Sequence, residues 1–155
     1  MIILGIDPGT TRIGYGVVKS EAGKLICLDY GLIISTDQQK KADLSKAILD
    51  LSRLIHLHKP NMASIEKLFF FKNAKTVMAV SEMRGAILAV LSQNGIPVHE
   101  YTPLQVKQAV SSYGRAGKDQ VQRMVRLILG IKEDIKPDDA ADGLAIAICC
   151  AHTIL

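Results

Sequence analysis

A chain of 155 residues and 16.8 kDa has the size of one domain with one core, too short for a TIM barrel or a two-lobed ATP-binding kinase. Hydrophobic residues at 48% and charged residues at 22% exclude disorder, and the lack of Trp, with 5% aromatics, requires an aliphatic core. Lysine and arginine number 19 against 15 acids, a net charge of +4 with pI near 9.0, which admits an acidic partner such as nucleic acid.

Ile2 to Asp7 reads as a short apolar strand, closed by Pro8-Gly9. Arg12 to Lys19 alternates apolar and small residues as a second strand, Glu21-Ala22-Gly23 is a turn, and Lys24 to Ser35 is a third strand. Three strands joined by short turns form an antiparallel meander. Asp43 to His58 then carries apolar residues at helical spacing and stops before Pro60. Met62 to Phe70 is the fourth strand, Asn73 to Ser92 a long helix closed by Asn94-Gly95, and Ile96 to Tyr101 the fifth strand. Helices follow at Pro103 to Ser112, Asp119 to Leu129 and Asp139 to Thr153. The order predicts an α/β fold in one domain, 1–155, with a five-stranded mixed sheet and helices on both faces.

Asp7 interrupts the N-terminal apolar run too early for a signal peptide, and Leu144 to Leu155 falls short of the ~20 residues that span a bilayer, so no membrane partner and a cytoplasmic location are expected. Cys27, Cys149 and Cys150 do not make a disulfide framework. The adjacent pair, with His152, reads as a buried helical face rather than a metal site.

The acids carry more. Asp7 ends the first strand on a glycine-containing turn, the edge where α/β sheets place ligands. Glu66 lies near the end of the fourth strand. Asp138, Asp139 and Asp142 crowd the start of the last helix, where Asp142 can share a face with either of the other two. Singly, each acid reads more readily as a turn, a surface ion pair or a helix-start residue, with Asp138 and Asp139 as cap and first-turn acid. Together they can converge at one sheet edge, where clustered carboxylates need hard cations such as Mg²⁺ or Mn²⁺. Two such ions clamping a phosphate are a recurrent device of phosphodiester hydrolysis.

The stretches ILGIDPGTTRIGYGVV, IEKLFFFKNAKTVMAVSEMRGAI, PLQVKQAV and DAADGLAIAICCAH resemble the RuvC family of Holliday junction endonucleases, in order and at the right spacing over essentially the whole chain. The resemblance implies a ribonuclease-H-like fold. It also implies a homodimer that binds four-way junction DNA and nicks two opposing strands with Mg²⁺, in recombination and repair. By motif match the metal-binding carboxylates are Asp7, Glu66, Asp139 and Asp142, holding two ions per site. The family's D-A-A-D falls on Asp139 to Asp142, which leaves Asp138 as an extra acid and candidate cap. Lys107 and Lys118 fall on functional lysines of the family, and Phe69 on an aromatic that wedges into the junction. Lys72, Lys75 and Arg115 are further candidate DNA contacts, and association with the RuvA–RuvB branch-migration complex is implied. The family's basic C-terminal tail has no counterpart before Leu155, so DNA contacts from such a tail are not expected.

Residues 74–91 carry one apolar stripe at Val77, Val80, Ile87 and Leu91 and another at Met78, Ala79, Met83, Ala86 and Val90. A helix apolar on most sides is buried on more than its sheet face, here against a two-fold mate or the first helix of its own chain. Three readings compete with the junction endonuclease: a ribosomal RNA maturation nuclease of the same fold, a phosphate-loop ATPase, which would need a second domain, and a non-catalytic DNA-binding module, which five acids would weaken.

Overall fold

The structure, a computed structural model, describes residues 1–34, 43–68 and 74–154. Among them are five strands, β1 (Ile2–Asp7), β2 (Arg12–Glu21), β3 (Lys24–Ile34), β4 (Met62–Glu66) and β5 (Val98–Tyr101), and five helices, α1 (Leu44–His58), α2 (Ala74–Gln93), α3 (Pro103–Ser111), α4 (Lys118–Leu129) and α5 (Asp138–Ile154). The order along the chain is the predicted one. The strands lie in the order β3-β2-β1-β4-β5, with β1–β2 and β2–β3 antiparallel and β1–β4 and β4–β5 parallel. A two-residue hairpin loop joins β2 to β3; Ala22 and Gly23 both have positive φ, the geometry that matches strand twist.

Period-two alternation on β1 sorts the two layers. Leu4 and Ile6 join Val17 and Ile65 against Leu51 and Ile55 of α1 and Met83, Ile87 and Leu91 of α2. Ile3, Val18 and Tyr101 pack on the other face with Val106 of α3, Val125 of α4 and the apolar body of α5. Asp7 follows Ile3 and Gly5 in the same alternation, so the strand aims it at the α5 side. Cys149 and Cys150 are buried in α5, with Cys150 Sγ 3.9 Å from Met62 Sδ. His152 Nδ1 is turned away to the Ala109 carbonyl at 3.0 Å.

Helix α5 approaches β1 and β2 backbone to backbone, which only residues without a Cβ permit. A Cβ on Gly143 would lie 2.6 Å from the carbonyl carbon of Tyr15, and one on Gly14 would overlap the carbonyl of Asp139. Gly143→Ala is therefore expected to lower the unfolding free energy by about 1–3 kcal/mol, the usual cost of overpacking a rigid contact, read as a lower urea midpoint.

Several boundaries differ from the sequence reading, four of them near the site or the sheet edge. β4 ends at Glu66 rather than Phe70; the Lys67 amide still donates to Tyr101 O at 2.8 Å, and residues 67–68 then leave the ladder. β5 starts at Val98 rather than Ile96, because Pro97 has no N–H to donate. α4 starts at Lys118. α5 starts at Asp138, which places that acid inside the first turn instead of in the capping position. The two stripes expected on α2 merge: Met83, Ile87, Val90 and Leu91 are buried together, while Met78 is 66% exposed. Among the described residues no helix is long and apolar enough to cross a membrane.

Candidate active site

Asp7 and Glu66 end neighbouring parallel strands whose register pairs Ile6 with Ile65, so the two carboxylates stand side by side at one sheet edge. Asp139 and Asp142 lie three residues apart on one face of α5. The close contact of α5 with β2 and β1 brings these elements together. Ser64 adds a pin on β4, donating its buried hydroxyl to the Ile146 carbonyl at 3.2 Å. Asp7, Asp139 and Asp142 each offer an oxygen within 4.8 Å of the others. Glu66 stands outside that tight trio but lines the same cleft of about 220 Å³ with Asp7 and Asp142.

Two cations face the acids. Lys107 enters the cleft from α3, whose start is fixed by a reciprocal cap between Thr102 and Gln105 with Pro103 in the first turn. Lys118 enters from the first residue of α4, its Nζ 3.4 Å from both Asp138 Oδ2 and Asp142 Oδ2. Pro103, Val106, Val121, Ala145 and Ile146 form the apolar walls.

The electrostatics are those of an anionic cluster that two lysines compensate only in part. Burial, followed by the charges of Glu66, Asp142 and Asp139, pushes the Asp7 carboxyl up to about 7 despite the opposing pull of Lys118. Glu66 is raised by burial and by Asp142, with Lys107 pulling the other way. At Asp142 burial outweighs the Lys118 ammonium, and the carboxyl again sits above its usual range. Lys118 loses to burial but gains more from Asp142 and Asp138, so its ammonium is held above its usual value. Asp138 behaves oppositely to Asp7, Glu66 and Asp142: hydrogen bonding from Gln122 and the neighbouring Lys118 hold it below the carboxylate range.

An all-oxygen set with three close carboxylates and no sulfur or imidazole fits a hard divalent ion of the Mg²⁺ or Mn²⁺ type. The structure thus gathers Asp7, Glu66, Asp142, Lys107 and Lys118 at one cleft, sets Asp139 beside Asp7 and Asp142, and leaves Asp138 outside the carboxylate trio. Arg115 is exposed on the loop before α4. Phe69 and Lys72 lie outside the described residues, as does the side chain of Lys75. Sequence reasoning missed the glycines that let α5 dock; their signal was the recurrence of Gly5, Gly14 and Gly16 inside otherwise apolar strands. It also missed the Gln122–Asp138 contact.

A mixed sheet with carboxylates at the edge of its central strands, closed by an acid-bearing C-terminal helix, defines a ribonuclease-H-like nuclease. Residues 3–150 match the family model of the crossover junction endodeoxyribonuclease RuvC. The RuvC of Heliobacterium modesticaldum is 46% identical over 155 residues, covering 99% of this chain and 96% of that protein. The RuvC of Syntrophomonas wolfei is 48% identical over 154 residues, covering 99% and 90%. T. thermophilus RuvC in complex with a Holliday junction substrate superposes with a TM-score of 0.91 at 36% identity, covering 99% of this chain and 94% of that one. The chain belongs to the crossover junction endodeoxyribonuclease RuvC family and is a Holliday junction endonuclease.

Proposed function

We propose that this chain resolves four-way DNA junctions as a homodimer, making Mg²⁺-dependent paired nicks in two opposing strands, with Asp7, Glu66, Asp139 and Asp142 as the metal-binding acids. The observation that carries this reading is the meeting of three carboxylates from β1 and α5 within 4.8 Å, in a cleft that two lysines share. When bound there, divalent ions supply Lewis acidity and an activated water for phosphodiester hydrolysis. The protein's own part is positional. Asp7, Asp139 and Asp142 are held by rigid elements, so the ligand oxygens are set before substrate arrives. Glu66 extends the acidic wall toward Lys107. Lys107 and Lys118 aim positive charge at the phosphate.

Arg115 on the loop preceding Lys118 extends the cationic rim, and Lys72 and Lys75 join it on sequence grounds. Phe69, three residues beyond Glu66, is assigned to the junction's unstacked bases on its sequence position. A homodimer is supported by α2, which exposes Met78, Ser81, Gly85 and Ala89 on one face. A Cβ on Gly85 would meet nothing within 4 Å, so a second helix has room to approach closely. Two-fold symmetry would present two active sites to two symmetry-related strands. RuvA–RuvB would supply branch migration.

Nicking assays with junction DNA, linear duplex and structured RNA of matched length test the substrate. The expected result is Mg²⁺-dependent, paired cleavage of the junction alone; equal cleavage of structured RNA would replace this reading with RNA maturation. Light scattering is expected to give twice the chain mass at micromolar concentration, and a strict monomer that still nicks both strands in concert would overturn the dimer.

A further inference from the structure

We infer that Asp138 is a positioning residue that draws the Lys118 ammonium away from Asp142 and so keeps that carboxylate available to a divalent cation. The inference rests on the metal-ion reading of the Asp7–Asp139–Asp142 cluster. Its ground is a forked contact: Lys118 Nζ stands 3.4 Å from an oxygen of Asp138 and 3.4 Å from an oxygen of Asp142. Asp142 belongs to the tight carboxylate trio and Asp138 does not.

Lys118 is badly placed by its own helix. It is the first residue of α4, where the helix dipole disfavours a cation, and its N-cap Gly117 offers no side chain. The ammonium is therefore held by acids of another helix. With Asp142 as its sole partner, it would occupy the oxygen a metal ion needs, and binding the ion would first require breaking that pair. Asp138 supplies an alternative anion at the same distance.

Asp138 is itself held for this purpose. Gln122 lies one turn along α4 from Lys118, on the same face, and its side chain hydrogen-bonds Asp138. Asp138 is thus clasped by two side chains of α4 while its own helix points Asp139 and Asp142 inward. It lines no part of the cleft, and its side chain is 61% exposed. Its position therefore suits restraining Lys118 and does not suit ligating an ion with Asp7. With the charge of Asp142 committed to a cation, Asp138 remains the anchor that keeps the ammonium at the cleft mouth.

The test is a double-mutant cycle read as Mn²⁺ affinity by calorimetry on the full chain without DNA, using wild type, Asp138→Asn, Lys118→Met and the double variant. Asp138→Asn is expected to weaken Mn²⁺ binding about three- to fivefold, the scale of one partly exposed ion pair. Lys118→Met is expected to bind Mn²⁺ at least as tightly as wild type. In that background Asp138→Asn should have less than about half its effect on a logarithmic scale, since the competitor is gone. Asp138→Glu should restore most of the affinity. An equal loss in both backgrounds would reduce Asp138 to a remote negative charge and overturn the inference, as would no loss in either. Asp7→Asn serves as the control: if it binds Mn²⁺ as wild type does, the metal reading itself fails, and the inference falls with it.

Discussion

Asp7→Asn is expected to abolish Mg²⁺-dependent nicking while junction binding survives. Asp7 is the one strand-borne member of the close trio, and the contact of Gly14 and Gly143 with α5 and β2 fixes its distance to Asp139 and Asp142. An amide removes the anionic ligand without changing size, so the expected loss exceeds about 10³-fold in single-turnover rate, several kcal/mol of transition-state stabilisation. Binding has the opposite sensitivity. Removing a negative charge beside the DNA path cannot weaken attraction to phosphate and should leave affinity equal or slightly higher. Cleavage near the wild-type rate would remove Asp7 from the metal site. Asp139→Asn should be equally severe and Asp138→Asn mild; the reverse order would overturn the assignment of the D-A-A-D register.

The same substitution has a stability signature without metal. The Asp7 carboxyl ionises at about 7 in the fold against 3.8 for an ordinary aspartate, chiefly because of burial and then because of the neighbouring acids. Between those two pH values the native state holds a proton that the unfolded chain has released. Stability from this group is therefore full below the unfolded value and is lost as pH rises toward 7. At pH 8, metal-free Asp7→Asn should be more stable than wild type by on the order of 2 kcal/mol, or about 4–8 °C in melting midpoint for a chain of this length. At pH below 4 the gap should close. Mg²⁺ should raise the midpoint of wild type and leave Asp7→Asn unmoved. A midpoint difference that is flat from pH 4 to pH 8 would show that Asp7 does not carry this linkage.

What the sequence made legible follows from where the information is local. The alternation in Ile2–Asp7, the Ala22-Gly23 turn and the apolar spacing of Leu44–His58 are all settled within a few residues, and their order specifies the mixed sheet. Asp7 and Glu66 were legible as rim residues because an apolar run leads to each. The α5 acids were not separable by spacing, since Asp138 and Asp139 both share a face with Asp142. What separates them is α4, which presents Lys118 and Gln122 to Asp138 from across a loop. The docking of α5 was hidden for a similar reason: Gly14 and Asp139 are distant in the chain, and a missing Cβ leaves no hydrophobic pattern. The second covered side of α2 was not legible: Met83 and Val90 share a stripe with Met78, yet those two pack in the core against the sheet while Met78 faces outward in the single chain.

Lys107→Ala and Lys118→Ala are each expected to slow single-turnover cleavage by about 10²–10³-fold, with little change in the junction dissociation constant. The two lysines enter the cleft from separate helices and line it together with Asp7, Glu66 and Asp142, so a phosphate engaged by the acids would lie within reach of both. A cation in that position gains most as charge grows on the transferring phosphate, and its removal is felt in the rate before it is felt in affinity. Each lysine would be one contact among many to the DNA, which would keep its share of ground-state binding small. Lys118 adds a further expectation. Its ammonium is held above its ordinary range by Asp142 and Asp138, so it remains charged throughout the working pH, and the rate profile should show no deprotonation limb from it. Lys118→Arg preserves the charge and should recover part of the rate, whereas a neutral isostere such as Lys118→Met should not. If the alanine variants instead lose affinity and keep the wild-type rate at saturating junction, both lysines are backbone contacts, and the charge that stabilises the transition state must come from elsewhere in the cleft.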